Sequence, residues 1–331
     1  GCWSASLRTW INEKAGIGPP PTLSIAAFPR RASSVPGNKP PRFFPVSFTF
    51  VETSRHPSST VLFDSHNHLH DARLLPWRAE IMAELPALGI AGVVANGTCE
   101  QDWPAVAELA RAHPWVRPSF GLHPWRVSGR GPEWKETLEA FLAEFPGAAV
   151  GEIGLDRWME QPDVEAQREC FLWQLDLAAR LERPVTVHCL RAWGLLDEVL
   201  RAARLPERGF LLHSYGGPAE MIPGFVKMGA FFSCSPWFGH PAKSAKLAVF
   251  KSVPADRLLI ETDAPDMAPP EELDTHPLWH EGLRLNHPAN LRVSLSLLSR
   301  LRGTPGDELA AQIAANHRSL FGECGVTRDA R

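Results

Sequence analysis

The chain has no Cys-x-x-Cys pair, although six cysteines occur in its 331 residues. Cys2, Cys99, Cys170, Cys189, Cys234 and Cys324 are widely scattered. That pattern suits reduced, buried thiols in a cytoplasmic protein and argues against a disulfide framework. No apolar run approaches the roughly 20 residues that span a bilayer, so no membrane-crossing helix is expected. Positive charge is not in excess: the net charge is −3 and the pI about 6.5. No whole-chain field attracts a polyanion, and any contact with nucleic acid must be local. What remains is 44% hydrophobic and 21% charged, ordinary for a globular protein of one or two domains with a sizeable core.

Residues 1–60 lack methionine and nearly lack acids. They hold nine prolines, nine serines, seven Lys/Arg and two acids, whereas residues 61–331 hold 27 Lys/Arg against 35 acids, a net of −8. The first methionine is Met82, inside a helical pattern. One reading is an Arg- and Ser-rich transit peptide. The preferred one is an over-long reading frame whose true start is a non-Met codon near Val61 or Leu62, because an amphipathic helix is lacking and the folded pattern begins abruptly at Val61. Residues 1–60 are expected to be a disordered or non-native extension, 61–324 the folded domain, and 325–331 a flexible tail.

From Val61 onward, short β-rich runs alternate with helical ones. Eight strands are expected, at 61–68, 89–98, 117–123, 148–156, 184–189, 209–215, 229–235 and 257–265. Helical spacing marks RAEIMAELPALG, EWKETLEAFLAEF, AWGLLDEVLRAAR and AEMIPGFVKMG. It also marks residues 163–182, where Phe171, Leu172, Leu175 and Ala178/Ala179 form an apolar stripe. Apolar strands alternating with helices imply a parallel sheet buried on both faces. Eight such units in this length predict an α/β TIM (β/α)8 barrel. PANLRVSLSLLSRLRG and GDELAAQIAANHRSLFG add C-terminal helices packed outside it.

The stretch FDSHNHLHD, residues 63–71, crowds three of the thirteen histidines into nine positions. On a strand, His66 and His68 share a face, roughly 6–7 Å apart along the chain, and would converge on one ion. Polar residues recur at later strand ends: His123, Glu152 with Asp156, His188, His213 and Asp263. A barrel gathers these ends at one mouth, where barrel enzymes keep their chemistry. A lone histidine there is more often a hydrogen-bonded core or surface residue; the joint pattern reverses that expectation. Imidazoles with carboxylates suit Zn²⁺, Mn²⁺, Fe or Co, and a carboxylate-rich site also takes Mg²⁺. His66, His68 and Asp263 would hold one ion and His188 with His213 a second, Glu152 bridging both. The fourth strand has no lysine, so a carbamylated-lysine bridge is excluded and a carboxylate bridge is what it permits.

These blocks together resemble the TatD family of metal-dependent hydrolases, within the amidohydrolase-like barrels. FDSHNHLHD, GLHP, VGEIGLD, VHCLRAW, LLHSYGG and IETDAP occur in the family's order, followed by NHPAN and AANHRSLFG, and the likeness covers essentially all of 61–322. The resemblance implies metal ligands at His66, His68, Glu152, His188, His213 and Asp263, two divalent ions (Zn, Mg or Mn), and a deoxyribonuclease acting 3′→5′ on single-stranded DNA. Trp125 replaces a second histidine common in the family, a change that bears on the substrate pocket. Arg191 stands three residues after His188, where the family often has a basic residue almost directly after it.

Within this reading Asp263, Glu152 and His123 carry the catalytic roles. Asp263 ligates a metal and takes a proton from water, and His123 contacts the scissile phosphate. Asp64, Asp156, Arg191, Trp125 and Tyr215 are expected to support the ligands or the substrate. For Asp64 the choice is between orienting an imidazole and being a buried partner of another group. Trp125 and Tyr215 would stack on unpaired bases or pack their loops, packing being the stronger reading for each. A small-molecule ester, amide or phosphoester hydrolase, mildly favoured by the acidic balance of 61–331, and a non-catalytic metal-binding barrel are the rival functions. A cytoplasmic monomer acting on DNA, with no membrane association and no obligate protein partner, is expected.

Overall fold

The computed structural model describes residues 60–323. The expectations for 1–60, Thr60 apart, and for 325–331 lie outside the described residues. Eight strands form one parallel sheet in chain order: β1 (Leu62–Asn67), β2 (Ile90–Asn96), β3 (Val116–Phe120), β4 (Ala149–Asp156), β5 (Val185–Leu190), β6 (Phe210–Leu212), β7 (Ala230–Cys234) and β8 (Leu258–Ile260). Two backbone hydrogen bonds join the end of β1 to the chain beyond β8: Asp263 N–H to His66 O at 2.9 Å and His68 N–H to Ala264 O at 2.7 Å. The barrel is nearly closed, with helices between its strands. Strands covered on both faces are buried almost without a break, as along the whole of β4.

All eight expected strands are present, and three stop early. β3, β6 and β8 end at Phe120, Leu212 and Ile260, where the backbone leaves the ladder. His123, His213 and Asp263 therefore stand beyond the ends of their strands.

The expected helices are α1 (Arg78–Ala87), α3 (Trp134–Glu144), α4 (Val164–Arg180), α5 (Trp193–Ala202) and α6 (Ile222–Lys227). Two more were not read from the sequence, α2 (Trp103–Ala112) and α7 (Ser244–Val249). The stripe of α2, Trp103, Val106 and Ala107, is helical in spacing and fully buried. Helix α4 starts at Asp163, whose carboxylate accepts the Ala166 N–H at 3.0 Å. Its buried face contains Gln167 and Gln174, while Leu172 is only half-buried, which corrects the stripe drawn from the sequence. Among the described residues no helix is long and apolar enough to cross a membrane.

The C-terminal helices α8 (Leu291–Arg302) and α9 (Gly306–Phe321) follow a short antiparallel hairpin, β9 (Leu278–His280) and β10 (Leu283–Leu285). Helix α9 packs against the outside of β1 and β8. The His317 ring stacks on Phe63 with centroids 4.6 Å apart, and its Nδ1 lies 3.2 Å from Ser65 Oγ. Asn316 Nδ2 donates to Ala255 O and Leu258 O at 2.7 and 2.8 Å. The AANHRSLFG block thus fastens the barrel where its first and last strands meet.

Candidate active site and metal centre

The strand ends converge on Glu152. Its Oε2 lies 3.5 Å from His66 Nε2 and 3.4 Å from His68 Nε2. Its Oε1 lies 2.9 Å from His213 Nε2, 3.1 Å from His188 Nδ1 and 3.5 Å from His123 Nε2. Asp263 Oδ1 completes the first group, 3.6 Å from His66 and 3.4 Å from His68. Two glycines permit this crowding on β4. A Cβ on Gly151 would sit 1.8 Å from Thr186 Oγ1, and one on Gly154 1.9 Å from the His188 carbonyl oxygen. Asp263 has a positive φ of 54°, a conformation aspartate tolerates better than most residues.

Hydrogen bonds assign the imidazole nitrogens. His68 Nδ1–H donates to Asn96 O at 2.7 Å, so in the neutral ring the Nε2 lone pair faces Glu152 and Asp263. His188 Nε2 donates to Asp156 Oδ2 at 2.8 Å, so in the neutral ring its Nδ1 lone pair faces Glu152. His123 differs: Nδ1 accepts the Trp125 backbone N–H at 3.1 Å, so in the neutral ring Nε2 keeps its proton and points a donor into the site.

His66 is fully buried, and among the described residues neither of its ring nitrogens has a hydrogen-bond partner. An unsatisfied buried polar atom costs about 1–3 kcal/mol. Its ring stacks on that of His213 with centroids 4.0 Å apart. Donors on one tetrahedral ion, with bonds of about 2.1 Å, lie roughly 3.4 Å from each other, close to the His66, His68, Asp263 and Glu152 spacings. Three overlapping groups keep all their ligand atoms within 4.8 Å: His66, His68 and Asp263; His66, His213 and Glu261; His123, Glu152 and His188. These residues fit divalent cations.

The protons tell the same story. Burial alone would raise the Glu152 carboxyl, but the charges of His123, His213 and His66 hold it well below the usual carboxylate range. Burial opposes a charge on His213, yet Glu152 and then Glu261 push it up to about 10. Burial is likewise outweighed at His68, raised by hydrogen bonds to Asp263 and Glu152, and at His188, raised by Asp156 and Glu152. Burial and the neighbouring His213 lower His66, and burial brings His123 down to about 4. Such a set of competing imidazoles and carboxylates is what a bound cation would resolve.

Other expected residues divide. Asp156 is buried and joins the site through His188, and Trp125 Nε1 donates to the same Asp156 Oδ2 at 2.8 Å. Asp64 is fully buried and takes the second of its two readings. It accepts from the Thr262 N–H at 2.9 Å, the Thr262 hydroxyl and Asn67 Nδ2; burial pushes its carboxyl up to about 7. Arg191 is exposed with φ 55°, and among the described residues no hydrogen bond or ion pair ties it to the cluster. Tyr215 takes the packing reading and not base stacking: it has no exposed surface, packs edge-on to Trp193 and Phe232, and donates its hydroxyl to Pro218 O at 2.7 Å. It cannot touch a substrate.

Four contributors were missed. Glu261 is fully buried, 3.6 Å from His213 Nδ1, and accepts hydrogen bonds from the Ser214 and Ser233 hydroxyls. The signal was its place two residues before Asp263. On α4, Gln174 clamps both backbone groups of Leu122 at 2.7 and 3.2 Å, and Gln167 clamps both of Asp156 at 2.8 and 2.9 Å. Their seven-residue spacing puts them on one helix face. The end of β2 offers consecutive carbonyls instead of side chains. Asn96 O accepts from the His68 ring, Gly97 O from the Glu152 N–H and Thr98 O from the His123 N–H.

A barrel whose mouth gathers five imidazoles and two carboxylates has the make-up of a metal-dependent hydrolase. The sequence profile of TatD-related DNases matches residues 63–322, and the chain belongs to that family. It is 32% identical over 263 residues to the 3′-5′ ssDNA/RNA exonuclease TatD of Erwinia tasmaniensis, covering 78% of this chain and 99% of that protein. The enzyme of the same name from Salmonella typhimurium is 30% identical over 265 residues, 78% of this chain and 98% of its own. The crystal structure of YJJV, a TatD homologue from Escherichia coli K12, superposes with a TM-score of 0.70 at 29% identity, over 79% of this chain and 98% of that one.

Proposed function

We propose that the protein removes nucleotides from the 3′ end of single-stranded DNA, using two divalent ions drawn from Zn²⁺, Mg²⁺ or Mn²⁺. The observation that carries this reading is Glu152, whose two oxygens face two separate sets of histidines. His66, His68 and Asp263 would hold one ion, His188 and His213 the other, and Glu152 both. When bound, such a pair neutralises phosphoryl charge and makes water more acidic. His123 presents its Nε2–H to a phosphoryl oxygen. Asp263, with a carboxyl that burial raises but the hydrogen bond from His68 and nearby imidazoles bring down to about 2, is ionised and able to take the water's proton. Asp156 and Glu261 hold His188 and His213 from behind.

The catalytic unit is residues 61–324, acting as a cytoplasmic monomer without an obligate partner. The free thiols of Cys99, Cys170, Cys189 and Cys234, all buried, suit a reducing compartment. The test is digestion of single-stranded DNA labelled so that the 3′ end is followed, with each metal, using the full chain beside Glu152→Ala and Asp263→Ala. Metal-dependent shortening from the 3′ end, lost in both variants, is the expected result. No cleavage by folded, metal-loaded protein would overturn it and move the search to small esters.

A further inference from the structure

We infer that Trp125 is a positioning residue that sets His188 through Asp156, an inference that rests on the proposed metal centre. Its indole Nε1–H and His188 Nε2 both lie 2.8 Å from one atom, Asp156 Oδ2. The other oxygen, Oδ1, takes the backbone N–H groups of Trp158 and Met159 at 2.6 and 3.3 Å, and Gln167 clamps the Asp156 backbone. The carboxylate is fully buried, so no solvent replaces a lost donor. With the Trp125 N–H in place, Oδ2 is aimed at His188 and the lone pair on His188 Nδ1 is aimed at Glu152. Without it, Asp156 loses, among the described residues, the side-chain donor that shares Oδ2 with His188. Trp125 also lies edge-on to His123, with centroids 5.4 Å apart, so its ring seats in one orientation.

The experiment separates donor from bulk. Zn²⁺ affinity of the full chain is measured by competition with a chromogenic chelator for wild type, Trp125→Phe, Trp125→His and Trp158→Phe, with thermal melts as a check on folding. Outer partners of metal-ligating histidines typically contribute about 10–100-fold in affinity. Trp125→Phe, which keeps the ring and removes the N–H, is expected to weaken the second of two Zn²⁺ sites by about 10-fold with little change in melting. Trp125→His, which regains a ring donor, is expected to recover part of that loss. Trp158→Phe, whose contribution to Asp156 is backbone, is expected to match wild type. Wild-type affinity in Trp125→Phe would overturn the inference alone. A wild-type protein that binds no divalent ion would overturn both it and the proposed metal centre.

Discussion

At the scale of single residues, the site is built from pairs in which one group faces the cluster and another holds it from behind. His68 has Asn96 O, His188 has Asp156, and His213 has Glu261. Glu261 is the clearest test, because it lies 3.6 Å from His213 Nδ1, the nitrogen opposite the one that meets Glu152, and has no exposed surface. Glu261→Gln keeps the shape and removes the charge behind His213. It should lower metal affinity or turnover about 10–100-fold, measured by chelator competition and by kcat at saturating metal. An unchanged affinity would assign Glu261 to packing. Histidines and carboxylates at strand ends were legible because strand periodicity and barrel topology both send them to one mouth. Glu261 was not, because Asp263 two residues later already accounted for the strand. Tyr215 packs, the stronger of its two readings, because β6 ends at Leu212 and the chain beyond it turns the ring into the core with Trp193 and Phe232.

At the scale of elements, β4 is under the tightest constraint. Glycine at 154 lets the strand press against the backbone of His188, with φ 147°. Gly154→Ala forces atoms into that contact, and overpacking of this kind costs about 1–3 kcal/mol or more. The expected outcome is a lower urea midpoint together with weaker metal binding, since the carbonyl it would displace belongs to His188. A variant with wild-type stability would show that β5 can yield. The eight strands were readable from apolar runs, while α2 and α7 went unread. Helix α2 begins with a Trp-Pro pair close behind β2, and α7 has six residues, none of them buried. Gln167 and Gln174 were invisible for another reason: their partners are backbone atoms of Asp156 on β4 and of Leu122 just beyond β3, which no side-chain pattern announces.

At the scale of the whole molecule, closure of the barrel has a pH signature. His317 is buried, and burial together with Arg117 and Arg318 lowers its pKa to about 3. An unfolded histidine titrates near 6.5. Above that value the ring is neutral in both states and adds no pH dependence. As the pH falls below about 6.5 only the unfolded chain takes up this proton, so stability drops progressively toward about pH 3, by up to about 1.4 kcal/mol per unit. Urea unfolding of wild type between pH 7 and 5 should show this slope, and His317→Gln should be shallower by up to that amount. Equal slopes would mean that α9 yields before the ring is protonated.

The three carbonyls at the end of β2 carry a further consequence. Asn96, Gly97 and Thr98 hold the His68 ring and the amides of Glu152 and His123 through peptide oxygens alone. A peptide oxygen is the same whatever side chain the residue bears. A scan that exchanges side chains one at a time would therefore score this stretch by its fit against Trp103 and Asp102, neighbours that a Cβ on Gly97 would meet at 2.6 and 3.0 Å, and miss its part in aligning the site. Replacing single amides by esters, which weakens the oxygen as an acceptor while sparing the side chain, is the change that would expose it.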